Sequence, residues 1–395
     1  MPTLELETFG VMELRMTVST FRDLLAQHRS AIDRLNVYPV PDGDTGTNMA
    51  RTLDAVVAAV EDAPEDLVGT CDAISHGSLM GARGNSGVIL SQVLRGIAAT
   101  LKESPVVEPA TVARALRAAS QAADRAVLKP VEGTILTVVR ASAAGAEAAV
   151  DADGDLATVV RAARDAGRVA LASTPDLLQV LRDAGVVDAG GAGYLLLLDA
   201  LANVVDGEPL PEPDDAAPVA GATQPIAGTS GEAVGGDQRY EVMYLCDLAD
   251  ERIDEFKQRW GELGDSIVVV GGDGLWNCHV HTNDIGAAIE TALELDGRPK
   301  AIRVTDLFEE VAAEHAIREA AIVAGRPTPL PTEPVEPDEP AGPGEPEPIA
   351  PDQPAVVCAV VAVASGPGIG QMFRDLGVQA VVTGGQTLNP STAEL

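Results

Sequence analysis

The sequence predicts a multidomain protein: an all-α domain over residues 10–206, a small α+β domain over 239–322 and an incomplete α/β segment over 355–395. Three observations support this. Up to Val205 apolar residues recur at helical spacing, aromatics make up only 3% of the chain, and no run alternates convincingly as a strand, which suits closely spaced helices. Near residue 240 the pattern changes, and Tyr240–Leu245 and Ser266–Val270 read as strands, with helical runs over Asp250–Leu263 and Ile285–Leu295. Two stretches, 207–238 and 323–354, are rich in proline and acidic residues and read as linkers; the second holds 11 of the 27 prolines, so it is a stiff tether.

Composition narrows the function. A chain of 395 residues with 46% hydrophobic content has enough apolar surface for two or three cores. Its formal net charge of −33 repels nucleic acid and anionic membrane surfaces alike, so a nucleotide would have to be received through metal ions. Cys71, Cys246, Cys278 and Cys358 are widely separated and form no CxxC pair, which fits a reducing compartment. With no basic, apolar leader and no long uninterrupted apolar run, the expectation is a cytoplasmic protein without a membrane span.

In chain order, Phe21, Leu24, Leu25, His28, Ile32 and Leu35 mark a first helix, with His28 on its core side. It delivers the chain into Asn36-Val37-Tyr38-Pro39-Val40-Pro41-Asp42-Gly43-Asp44-Thr45-Gly46-Thr47-Asn48-Met49. Asp42 and Asp44 are hard oxygen ligands one residue apart, with Asn36 or Asp33 as a further ligand. Magnesium takes one or two carboxylates plus nucleotide oxygens, so the pattern suits a metal–phosphate site. An ordinary Asp-Gly turn is the other reading. Thr47 or Asn48 then caps a second helix carrying Met49, Leu53, Val56, Val57 and Val60.

A glycine-rich turn follows at Gly77-Ser78-Leu79-Met80-Gly81-Ala82-Arg83-Gly84-Asn85-Ser86-Gly87. Glycines let backbone approach a phosphate, which places Gly84, Asn85, Ser86 and Gly87 as candidates, whereas tight helix packing explains the same glycines without a ligand. No Walker-type GxxxxGKS or GxxxxGKT run occurs. Helical runs continue over 111–128, 134–149, 155–172, 176–184 and 194–205, roughly eight in all up to residue 206. Lys129-Pro130-Val131-Glu132-Gly133-Thr134 and Asp188-Ala189-Gly190-Gly191 break them. In the second domain, His279 and His281 share one strand face, as two metal ligands require. Beyond the tether, Ala355–Val363 reads as a strand leading into Ser365–Gly370, with a helix from Met372 and a second strand at Ala380–Val382. A dinucleotide site there lacks the full GxGxxG.

These motifs resemble the dihydroxyacetone kinase nucleotide-binding (DhaL-like) family, in the form carried by ATP-binding subunits of bacterial fatty acid kinases. The resemblance covers nearly the whole chain and is strongest over 32–49 and 77–96. It implies an antiparallel eight-helix barrel with the signature loops at one end. It also implies two magnesium ions on Asp42, Asp44 and Asn36, with Asp42, Asp44 and Thr45 in catalysis. ATP would be held by Asn36, Thr47, Asn48, Gly84, Asn85, Ser86, Gly87, Thr134, Leu136, Asp188 and Gly190. The family's His-Val-His strand carries zinc with a cysteine. That cysteine aligns here with Arg239, which leaves Cys246 or Cys278 to complete a set with His279 and His281. The implied activity is transfer of the γ-phosphate of Mg-ATP to a fatty acid carried by a separate DegV-type binding protein, by a homodimer whose C-terminal domain, far longer in the family, stops here at Leu395. A dihydroxyacetone or small-polyol kinase, and a nucleotide-binding regulator without turnover, are the alternatives.

Overall fold

The computed structural model describes residues 9–104, 106–213, 238–309, 311–312, 361–364 and 380–383. Described residues up to 206 form α1 (Val11–Leu35), α2 (Thr45–Glu61), α3 (Leu67–Gly81), α4 (Gly84–Lys102), α5 (Pro109–Ala126), α6 (Ile135–Asp151), α7 (Leu156–Leu177), α8 (Gln179–Ala184) and α9 (Ala189–Asp206). Eight of these are long, and α8 has six residues. Each long helix packs on its successor and α9 returns to α1, with further contacts between α2 and α4 and between α6 and α9. Apolar stripes that include Phe21, Leu25, Met49, Leu53, Leu90, Val139 and Leu198 meet in one core. Truncating one of these buried leucines to alanine costs about 2–5 kcal/mol.

Side-chain caps fix several helix starts: Asp66 accepts from Gly69 N at 2.7 Å, Asp155 from Thr158 N at 2.8 Å and Asp188 from Gly191 N at 2.7 Å. Two sequence expectations change. The glycine-rich stretch from Gly77 is largely the end of α3, because a Cβ at Gly77 or Gly81 would run into Ala55 or Ala59 of α2; these glycines let two helices approach, and the turn itself is only Ala82–Arg83. The run expected at 176–184 is instead the end of α7, which continues through Pro175 to Leu177, followed by α8. Helix α9 is apolar on nearly every side and long enough to cross a membrane by length and composition, but 72% of it is buried within the helical domain.

The second region holds β1 (Tyr240–Asp247), a 3-10 turn (Asp250–Arg252), α10 (Ile253–Leu263), β2 (Gly264–Gly272), β3 (Leu275–Thr282), α11 (Ile285–Glu294) and β4 (Arg298–Asp306). The sheet is antiparallel in the order β2-β3-β1-β4. The β2–β3 hairpin turns on Asp273 and Gly274, both at positive φ, as a two-residue turn of right-handed strands requires. Strand alternation gives the sheet two faces. Val242, Tyr244, Cys246, Cys278 and Val280 pack under α10 and α11 with Phe256 and Trp260. Met243, Val268 and Val270 pack on Leu79, Ala82, Val88 and Ala126 of the helical region, and Asn277 Nδ2 donates to Leu79 O at 3.1 Å.

Residues 332–395 form a separate unit, in which β5 (Val361–Ala364) and β6 (Ala380–Thr383) pair in parallel. The helix expected from Met372, the glycine turn at 365–370 and both linkers beyond residue 213 and residue 312 lie outside the described residues.

Candidate functional site

A cavity of about 340 Å³ opens where the helices meet β2. Its wall includes residues from the N-terminal ends of four helices: Thr45 of α2, Asn85 and Ser86 of α4, Ile135 and Leu136 of α6, and Gly190 of α9. Helix N-termini carry the positive end of the helix dipole, so four of them around one space favour an anion, although Asp33 and Asp188 already accept from N–H groups at the starts of α2, α6 and α9.

Beside this space lies the Asp loop. Asn36 Nδ2 donates to Asp42 Oδ1 at 2.5 Å and Asn48 Nδ2 to Asp44 Oδ2 at 2.7 Å, so each carboxylate is oriented by an amide. The Asp42 carboxyl also hydrogen-bonds Asp44. Burial, and next the charge of Glu241, push Asp44 up to about 6. Two adjoining carboxylates facing a third acid in a buried setting are a donor set that a divalent cation satisfies. Helix α2 begins at Thr45 with Asp44 as its cap residue, not at Thr47 or Asn48. Its end is held from α1, because Asp33 Oδ1 accepts from Thr47 N at 3.0 Å and Asp33 Oδ2 from Thr47 Oγ1 at 2.9 Å. Asp33 is thus a capping group, with burial raising it to about 7.

The glycine signature divides in two. At Gly84, where φ is +54°, a Cβ would run into Asn48 Nδ2, and at Gly87 it would run into Thr52 Oγ1; both residues serve close packing of α4 on α2. Asn85 and Ser86 line the cavity; Ser86 Oγ lies 3.4 Å from Thr45 Oγ1, and Asn85 Oδ1 is buried without a hydrogen-bond partner. Across the cavity Asp188 accepts from Gly191 N and from Ile135 N, which ties the starts of α9 and α6 together; burial raises it to about 6. Thr134 and Leu136 line the same wall.

On the sheet, His279 and His281 share a face with Glu241 of β1, and the three can offer one atom each within 4.8 Å of one another. Cys246 and Cys278 do not join them. Both point to the opposite face, into the core under α10 and α11, because adjacent strand positions alternate. Arg239 is not the third member either; it ion-pairs with Asp306 at 2.6 Å. His279 is fully buried, and neither ring nitrogen has a hydrogen-bond partner. Its Nδ1 lies 3.6 Å from Glu241, and burial depresses it to about 4. A neutral, orphaned imidazole beside a carboxylate and a second histidine fits a tetrahedral or octahedral cation. Glu241 and His281 both act electrostatically on Asp44, so this triad and the Asp loop occupy one corner.

Of the sequence candidates, Thr45, Asn85, Ser86, Thr134, Leu136, Asp188 and Gly190 meet in the cavity wall, and Asn36, Asp42, Asp44 and Asn48 form a hydrogen-bonded group. Thr47 faces Asp33, and Gly84 and Gly87 face α2. Sequence reasoning missed Glu241 and the β2 wall formed by Asp265, Ser266, Ile267 and Val268. An acidic residue among the apolar positions of β1 is the one local signal for Glu241.

Comparison with known proteins agrees with this organisation. Residues 39–203 match the DAK2 domain, 237–314 the FakA-like middle domain of fatty acid kinases, and 359–395 the FakA-like C-terminal domain of the same kinases. The chain is 33% identical over 380 residues to protein YloV of Bacillus subtilis and 32% identical over 382 residues to an uncharacterized protein of Staphylococcus saprophyticus. Each alignment covers 94% of this chain and 64% of the relative, so the chain spans just under two thirds of their length. Among solved structures, the dihydroxyacetone kinase from C. freundii in complex with AMP-PNP and Mg2+ aligns at 17% identity with a TM-score of 0.36, over 51% of this chain and 36% of that one. In this chain the cavity lies where the stretch similar to the DAK2 domain meets the stretch similar to the middle domain.

Proposed function

We propose that this chain is the ATP-dependent subunit of a phosphotransferase that acts on a fatty acid presented by a DegV-type binding protein. The observation that supports it best is the convergence of four helix N-termini on one cavity whose wall includes Tyr38, Pro39 and Thr45, the loop residues on either side of the Asp42–Asp44 pair. A triphosphate seated against Thr45, Asn85, Ser86 and Gly190 is neutralised by helix ends at no reorganisation cost. Asp42 and Asp44, with Asn36 alongside, would hold Mg2+, which would supply the remaining charge neutralisation. The amides of Asn36 and Asn48 keep those carboxylates aimed, and Asp33 keeps the end of α2 in place beneath them.

The carboxylate oxygen of the acceptor attacks the γ-phosphorus, the bond to the β–γ bridging oxygen breaks, and ADP leaves with that oxygen; the product is an acyl phosphate. No protein nucleophile is needed, because such transfer rests on positioning and electrostatics. The middle domain's Glu241, His279 and His281 would hold a zinc-like cation, a fixed positive charge beside Asp44. The fatty acid acceptor is supported by the family of the middle and C-terminal domains.

ADP formation is the test, measured with the full chain, Mg-ATP and either a fatty-acid-loaded DegV-type protein or free dihydroxyacetone. Acyl phosphate with the loaded carrier alone is the expected result. Turnover on dihydroxyacetone without turnover on the carrier would replace the acceptor, and binding of Mg-ATP without turnover on either would make the chain a nucleotide-dependent regulator.

A further inference from the structure

The nucleotide cavity is not a property of the helices alone. One wall is β2, and this strand is irregular where it meets the cavity. Its pairing with β3 shifts register between Asp265 and Val268, and Ser266 sits at φ +50°. A bulge in that place re-aims the side chains beside it, and a non-glycine residue at positive φ persists only where its surroundings hold it. Here they do: Leu128 N, in the loop before α6, donates to Ile267 O at 3.2 Å, and Val127 bridges Val268.

The bulge brings the Asp265 carboxylate into the lining together with Tyr38 and Ser266. The other lining carboxylate, Asp188, is already taken up by the backbone N–H groups of Gly191 and Ile135, which leaves Asp265 as the acceptor open to a ligand. A carboxylate takes only donors, and it cannot face a phosphate without a cation between them. The neighbouring lining residues Val127, Val131, Ile267 and Val268 are apolar. The lining thus combines helix starts that favour an anion, the Asp265 acceptor and an apolar patch that Lys129 interrupts. A nucleotide offers a complement to each: phosphates, a sugar with two hydroxyl donors, and a flat base. We infer that Asp265, carried into the cavity by the β2 bulge, accepts hydrogen bonds from the sugar hydroxyls of the bound nucleotide, so that the middle domain reads the sugar while the helical domain holds the phosphates. This rests on the nucleotide reading proposed above.

Asp265 has a second neighbour. Its Oδ1 lies 4.0 Å from Nδ1 of His281, directly across the β2–β3 pair, so a role confined to orienting that imidazole is the rival to exclude.

Calorimetry separates the two, using the full chain with Mg2+ and either ADP or 2′,3′-dideoxy-ADP as probes, and with bound metal measured in parallel. The wild-type protein is expected to prefer ADP by about tenfold, the value of one hydrogen bond to a charged acceptor. In Asp265→Ala that preference should collapse to within about threefold while dideoxy-ADP binds nearly as before; Asp265→Asn, which retains an acceptor oxygen, should fall between. A preference left intact in Asp265→Ala overturns the inference, as does an equal loss for both probes or a loss of metal alone, since those outcomes assign Asp265 to folding or to His281. A wild-type protein that binds both probes equally also overturns it. Failure to bind ADP at all would instead bring down the nucleotide site itself, and the inference with it.

Discussion

The Asp loop and the His279–His281 strand place charged groups in the same corner of the protein, yet they are assembled in opposite ways. The loop collects Asn36, Asp42, Asp44 and Asn48 within one turn between two helices, so its hydrogen-bond partners are at most six residues apart. The strand site takes Glu241 from β1 and both histidines from β3, joined only by antiparallel register. A local site survives as a readable motif; a site made by strand pairing depends on which residue lies opposite which, and a shift of one residue exchanges its faces.

The largest expected effect breaks the first half of that comparison. Asp42→Ala and Asp44→Ala should each weaken Mg2+-dependent nucleotide binding by about 100-fold or more, since each removes a charged ligand, while helical circular dichroism stays unchanged. Undiminished Mg-ADP affinity in both variants would mean that the aspartates only shape a turn.

The second tests the strand site. Purified without a histidine tag, the protein should carry about one equivalent of a zinc-like metal, and Glu241→Gln or His279→Ala should lower it to below about a tenth. Cys246→Ser should leave it unchanged, because that thiol faces the other side of β1. Retained metal in Glu241→Gln with loss in Cys246→Ser would reverse the assignment of faces.

That contrast also explains what was legible. The helix hairpin around the Asp loop, the glycine signature and the change to strands near Tyr240 could be read because periodicity and turn chemistry are local. α3 was hidden: Gly77 and Gly81 look like turn residues, and only their contact with α2 shows them to be packing positions. Glu241 was hidden because its identity as a ligand exists only across the sheet, and β4 because much of its length is exposed and carries little hydrophobic pattern. Asp33 was legible as an acid near the loop but not as a cap, since its partners lie 14 residues on.

A third prediction uses the buried acids. Burial pushes Asp44 and Asp188 up to about 6 and Asp33 up to about 7 in the folded protein, against 3.8 for an exposed aspartate. Between about pH 4 and pH 7 the folded state therefore holds protons that the unfolded chain has released, so the contribution of these groups makes the cation-free protein less stable as pH rises through that window. Magnesium opposes this at Asp44 by replacing the proton. Differential scanning calorimetry should show Mg2+ raising Tm by about 3–5 °C near pH 8 and by clearly less near pH 5. An equal effect at both values would mean that the cation does not bind at the acids whose protons it should displace.

The smallest effect sharpens the two-faced reading of β1. Tyr244 lies between Met243 and Leu245 but faces the opposite way from Glu241, stacked edge-on against Trp260 with ring centroids 5.4 Å apart. Its hydroxyl donates to Ala288 O at 2.8 Å, and the same carbonyl accepts from Trp260 Nε1 at 3.0 Å. Tyr244→Phe removes one donor and leaves no group unsatisfied, since the indole still occupies the carbonyl, and the ring that fills the core remains. The cost should be about 0.5–1 kcal/mol, or a fall of about 1–3 °C in Tm. Metal content and Mg-ADP affinity should not move. If they do, the two faces of the sheet are mechanically linked, and the core under α10 and α11 belongs to the site rather than merely supporting it.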